Sequence, residues 1–162
     1  MEAKPQTVRR RGRPPRQRED LADTRELLLR AGLEVLTEKG FSATGIDEIL
    51  GRAGVPKGSF YHYFASKEAF GLALIERYGE FFARKLDRHL GNRGLPPLER
   101  LQAFVDDARA GMARLDYRRG CLIGNLGQEM AALPENFRER LNAVFGDWER
   151  RLALCQIGRA SC

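Results

Sequence analysis

The stretch VPKGSFYHYFASKEAF, residues 55–70, gathers hydrogen-bond donors of the kind that reach phosphates and base edges: Lys57, Ser59, Tyr61 and His62, with Gly58 among them. Its pattern predicts a helix of about eight residues. On a wheel drawn from Lys57, Phe60, Tyr63 and Phe64 fall on one side and Gly58, Ser59, Tyr61 and His62 on the other. The aromatic side predicts an anchor and the donor side a presented face, with Gly58 permitting close approach of the backbone to a partner. That combination suits a helix entering the major groove of a duplex. A second chemical feature is Cys121, preceded by Arg118 and Arg119 at a predicted helix start. The helix dipole and the two cations favour a thiolate, open to alkylation or oxidation. A small packing residue is the second reading of this cysteine, and noncovalent contact with a ligand the third.

The neighbouring elements must position these groups. Thr44 with Asp47 predicts a capped short helix whose inner face is Ile46, Ile49 and Leu50, left by a tight exit through Ala53, Gly54, Val55 and Pro56. Upstream, Asp23 with Glu26 has the form of a capping box for a helix over residues 24–39, with Leu27, Leu28, Ala31, Val35 and Leu36 on one stripe and Gly40 at its end. Ser66 predicts the cap of a long helix reaching about residue 90, with Phe70, Leu74, Tyr78, Phe81, Phe82 and Leu86 at helical spacing. After the break GNRGLPP, residues 98–115 form an amphipathic pattern with Leu101, Phe104, Val105, Ala108 and Met112. A further helix begins near Arg119 and ends before Pro134, and another starts near Glu135 and runs through Phe137, Leu141, Val144, Phe145, Trp148 and Leu152. No strand pattern competes, so the fold class is all-α.

Charge is concentrated at one end. The first eighteen residues hold Lys4, Arg9, Arg10, Arg11, Arg13, Arg16 and Arg18 against Glu2, which accounts for the whole net charge of +6. With three prolines, a glycine and little apolar content, this segment is expected to be a disordered arm. Its RRRGRPPR run resembles an AT-hook, in which Arg11, Gly12 and Arg13 lie in a narrow minor groove. A charge run that merely aids solubility is the alternative. Neither a membrane span nor a signal peptide is apparent, and a cytoplasmic location is expected. The three cysteines form no disulfide framework and have no zinc-ligand spacing, so neither metal nor cofactor is expected. An enzyme is disfavoured too: His62 and His89, the two histidines, are remote from Cys121, and no glycine-rich phosphate loop occurs.

The run GFSATGIDEILGRAGVPKGSFYHYFASKEAF resembles the DNA-binding domain of TetR-family transcriptional repressors, and the likeness extends over residues 23–75. It implies a three-helix helix-turn-helix reader in which Thr44, Lys57, Gly58, Ser59, Tyr61, His62 and Lys67 meet double-stranded operator DNA. Tyr61 and Lys67 would mainly hold phosphates. It also implies a helical second domain that binds a small effector and forms a homodimer. RRGCLIGNLGQEM looks most like the repressors of this family that sense electrophiles or acrylate. Asn125 and Gln128 share a predicted helix face with Cys121, and Tyr117, Arg118, Phe104, Met112 and Trp148 are candidates to close the site, an arginine suiting a carboxylate.

The expected organisation is an arm over 1–20, the reader over 21–66, a connecting helix over 67–90, a partial effector-binding unit over 97–154 and an atypical tail over 155–162. The family usually continues through two further long helices that build the dimer interface. Here the sequence reads CQIGRASC after Leu154, so impaired dimerisation and effector closure are expected. The functional expectation is a repressor released by effector, the alternatives being an architectural binder of AT-rich DNA or a regulator fragment that does not dimerise.

Overall fold

A computed structural model describes residues 18–157, and among these the chain is helical throughout. Helix α1 (Arg18–Lys39) is followed by α2 (Ile46–Ala53), a 3₁₀ helix (Lys57–His62), α3 (Lys67–Leu90), α4 (Pro97–Ala113), α5 (Leu122–Gln128) and α6 (Glu135–Ile157). Stop signals are local. Gly40 closes α1 at φ +84°, and Gly54 closes α2 at φ +65°, a region that glycine enters without steric cost. Ser66 caps α3, its hydroxyl accepting from the Ala69 amide at 3.0 Å.

Helix α3 is the spine, packing against α6, α4, α1 and α5. One continuous apolar core joins the two halves of the chain: Leu28, Leu36, Ile49, Phe60, Phe70 and Leu74 from the first half meet Leu122, Ile123, Leu126, Phe137 and Leu141 from the second. At their meeting point Gly71 leaves room for two rings, Phe41 and Phe137, which pack edge to face at 4.8 Å. Among the described residues no helix is long and apolar enough to cross a membrane.

The structure departs from the sequence reading at three element ends. Helix α1 starts at Arg18, so Asp23 lies inside it rather than at a cap; the helix-favouring Arg-Glu-Asp-Leu-Ala run carries it on upstream. Thr44 does not cap α2, because Gly45 holds that position without any side-chain cap and the Thr44 hydroxyl donates to the Gly40 carbonyl at 2.6 Å. Nor does the helical stripe end at Leu154: α6 continues to Ile157, with Cys155 buried against Leu86 and Leu90, extending the line of Trp148 and Leu152 by another turn.

Candidate nucleic-acid interface and ligand cavity

Pro56 starts the 3₁₀ helix, its carbonyl accepting from the Ser59 amide at 2.9 Å, and the Phe60 carbonyl closes it by accepting from Tyr63 at 2.9 Å and Phe64 at 3.1 Å. The segment is therefore shorter and more tightly wound than the predicted helix. Phe60 is fully buried and Phe64 nearly so, both edge-on to Phe70 at ring separations of 5.3 and 4.8 Å. Three rings thus fix the back of a six-residue element. Its front is open: Tyr61 is 66 % exposed, His62 and Lys57 are exposed, and a Cβ at Gly58 would meet nothing within 4 Å. Tyr61 leans its ring edge on Phe60 at 5.5 Å, so the phenol is presented from a fixed base. Lys57 is paired with Asp47 across the turn at 2.9 Å.

Three of the expected DNA-facing side chains lie elsewhere. Ser59 and Thr44 are buried, Thr44 because its hydroxyl satisfies the carbonyl that ends α1. Lys67 turns inward: its ammonium donates to the Phe41 carbonyl at 2.8 Å and lies over the Phe41 ring, 4.3 Å from its centre. Burial lowers the Lys67 pKa, and the nearby Glu129 carboxylate opposes that shift. Arg11 and Arg13 lie outside the described residues.

A second feature is a cavity of about 420 Å³ between α1, α3 and α4 and the segment entering α5. Its apolar walls are Leu33, Tyr78, Phe81, Phe82, Phe104 and Met112, and Cys121 stands at its inner side. Cys121 occupies the N-cap position of α5, is partly buried, and lines the cavity beside Tyr78. Burial pushes the Tyr78 phenol pKa well up, and the neighbouring sulfur adds to the rise. Lys85, Arg114 and Arg119 bring positive charge to the lining. Lys85 shares Asp107 with His89, at 3.1 and 3.0 Å, and these hydrogen bonds, His89 first, hold the Asp107 carboxyl below its ordinary range.

Of the candidate effector residues, Phe104, Met112 and Cys121 line this cavity and the others lie outside it. Asp116 and Tyr117 adopt positive φ, 50° and 55°, in a turn that leaves Tyr117 and Arg118 in solvent and delivers Arg119 to the wall. Asn125 uses its amide on the Thr37 carbonyl at 3.0 Å, and Gln128 is exposed, because Leu122, Ile123 and Leu126 take the inner face of α5. Trp148 stacks on Phe82 at 4.2 Å and so braces the wall from behind. Tyr78 and Lys85 were legible: with Phe82 they share one face of α3 at helical spacing.

The reader and the cavity unit meet at the turn after α1. Glu129, the residue that ends α5, accepts from the Phe41 and Ser42 amides, both at 2.8 Å. Burial alone would raise the Glu129 pKa. Hydrogen bonds from the Ser42 hydroxyl and the two amides, with the charge of Lys67, outweigh it and hold the carboxyl below its usual range. A depressed carboxylate stabilises the fold above its ordinary range, and that contribution fades as pH falls through the lowered value. Glu129→Gln should therefore melt earlier than the parent near neutral pH, with the gap shrinking as pH falls below the ordinary carboxylate range. Thermal melts across that range check this; a gap independent of pH would contradict it.

A helix-turn-helix with an exposed donor face is thus joined through one core to a helical unit that carries a solvent-open cavity. The chain belongs to the tetR family of bacterial regulatory proteins, whose model matches residues 28–74; residues 97–159 match the tetracyclin repressor-like C-terminal domain. It is 58 % identical over 144 residues to the transcriptional regulator AcuR of Cereibacter sphaeroides, covering 89 % of this chain and 65 % of that one. It is 37 % identical over 120 residues to the transcriptional repressor NemR of Escherichia coli K12, covering 74 % and 60 %. The crystal structure of regulatory protein TetR from Rhodobacter sphaeroides superposes with a TM-score of 0.79 at 55 % identity, over 83 % of this chain and 73 % of that one. The chain thus spans a little under two thirds of the length of AcuR and NemR.

Proposed function

We propose that this protein is a cytoplasmic transcriptional repressor that binds double-stranded operator DNA and is released by a small effector, an acrylate-like carboxylate or an electrophile. The observation that carries the reading is the open front of the 3₁₀ helix, with Gly58, Tyr61 and His62 exposed over a buried aromatic base. In this reading Gly58 lets the backbone sit close to the groove, Tyr61 reaches a phosphate, and His62 and Lys57 meet base edges or phosphates. The basic arm, through Arg11 and Arg13, adds salt-dependent affinity in the adjacent minor groove. Two readers one DNA turn apart, about 34 Å, would supply operator selectivity.

The effector end of the proposal is supported by the cavity. Its apolar walls suit a short carbon chain, Arg119 and Arg114 suit a carboxylate, and Cys121 suits an electrophilic carbon. Alkylation would join the Cys121 sulfur to the electrophile's β-carbon, the thiol proton passing to solvent and then to the α-carbon. An operator-shift assay on the region upstream of the protein's own gene, with and without acrylate and N-ethylmaleimide, tests both halves. Cys121→Ser is expected to bind the operator as the parent does yet fail to release it with the maleimide. Unchanged release would leave Cys121 a packing residue, and absence of any shift by the parent protein would remove the DNA-binding reading itself.

A further inference from the structure

The contacts around α5 describe a short strut between the cavity and the reader. At one end Arg119 and Gly120 line the cavity and bind α1: the Arg119 Nε donates to the Thr37 hydroxyl at 3.1 Å, and the Gly120 amide donates to the Thr37 carbonyl at 3.2 Å. Arg119 also lies 3.9 Å from Glu34. Asn125, midway along α5, donates to the same Thr37 carbonyl. At the far end the Glu129 carboxylate spans two consecutive amides of the turn that leads into α2. Seven helical residues separate these ends, about 10 Å of rigid rod.

That turn is held on every side. Phe41 receives Glu129 at its amide, Lys67 at its carbonyl and Phe137 at its ring. The backbone of Gly40 is shaped for the visitor: a Cβ there would stand 2.2 Å from the Glu129 carboxylate. Gly40 ends α1, and a polar contact between residues 88 apart in sequence, fitted to that glycine, holds the turn through which the chain passes to α2 and the 3₁₀ helix.

We propose that Glu129 is a positioning residue for DNA reading, with Lys67 as its partner, and that Arg119 at the cavity end acts on the reader through α5 and this carboxylate. Lys67, on this account, serves the junction rather than a phosphate. A ligand carboxylate that draws the Arg119 guanidinium off Thr37 and Glu34 frees one end of the strut, and Glu129 carries the change to Phe41 and Ser42. The affinity arm of the test rests on the DNA-binding reading above; the exchange arm does not.

Amide hydrogen exchange of the full chain supplies the second arm. Arg119→Gln touches neither Phe41 nor Ser42, yet exchange at both amides should rise about tenfold, as in Glu129→Gln, while the core amides of Leu74 and Ile75 stay unchanged. Operator affinity should shift roughly tenfold in each variant, and the double variant should shift no further than either single one, because both act through one element. Unchanged exchange at Phe41 and Ser42 in Arg119→Gln, or strictly additive affinities, would overturn the proposal. Responsive exchange in a protein that binds no operator would uphold the strut and remove the repressor reading. Should Glu129→Gln fold too poorly to measure, the exchange result in Arg119→Gln decides alone.

Discussion

Gly58→Leu should lower operator affinity by at least about a hundredfold, on the order of two lost base or phosphate contacts, while leaving the fold intact. The two halves of this expectation have separate physical origins. Gly58 is exposed, does not have the positive φ that marks Gly40 and Gly54, and has open space where a Cβ would stand, so a leucine there meets neither strain nor neighbours. Its effect on stability should stay within about 0.5 kcal/mol, or about 2 °C in melting temperature. A duplex seated on the 3₁₀ helix would instead meet four added carbons at the point of closest approach. Fluorescence anisotropy with a labelled operator, beside a thermal melt, separates the two effects. Parental affinity in a Gly58→Leu protein would mean that this face does not look at DNA. Gly54→Leu serves as a contrast, because there the left-handed backbone makes the substitution itself costly.

The front and back of the reading segment were legible because the cue is local. Large aromatic residues at Phe60 and Phe64 have to be buried, with Tyr63 beside them, which leaves Tyr61 and His62 to face out. Ser59 and Thr44 escaped that logic. A hydroxyl is small enough for either environment, and the carbonyl that claims Thr44 becomes available only once Gly40 has ended α1. Lys67 turns inward for a longer-range reason: the carbonyl and ring that hold its ammonium belong to Phe41, 26 residues upstream.

The cavity divides along the same line. Phe104 and Met112 line the cavity from faces that apolar periodicity marks, and Cys121 from the helix start that the sequence marks. The choice between Arg118 and Arg119 depends on a turn made by Asp116 and Tyr117 at positive φ, which no glycine announces. Fold class needed only the periodicities. Site chemistry needed the turns as well.

The ring cluster behind the reader yields the largest stability effect. Phe70 is fully buried, touches Phe60 and Phe64 edge-on, and fills the notch that Gly32 leaves in α1, where a Cβ would stand 2.2 Å from the ring. Phe70→Ala should cost about 3–5 kcal/mol, a large share of the 5–15 kcal/mol that typically holds a domain together. The melting temperature should fall by roughly 6–20 °C. Operator affinity should fall as well, since Phe60 and Phe64 lose the surface that fixes them. The neighbouring glycine turns this into a sharper expectation. Alone, Gly32→Ala should destabilise, because its methyl is driven into the Phe70 ring and toward a Leu74 methyl at 3.1 Å. In the Phe70→Ala background the ring is gone, the Leu74 methyl has vacated space to give way into, and the gain in helix propensity, about 1 kcal/mol, outweighs what remains of the contact. The same substitution should therefore change sign between the two backgrounds, a coupling that denaturant titration of the four proteins measures directly. If Gly32→Ala destabilised both equally, the glycine would be there for some reason other than the ring that faces it.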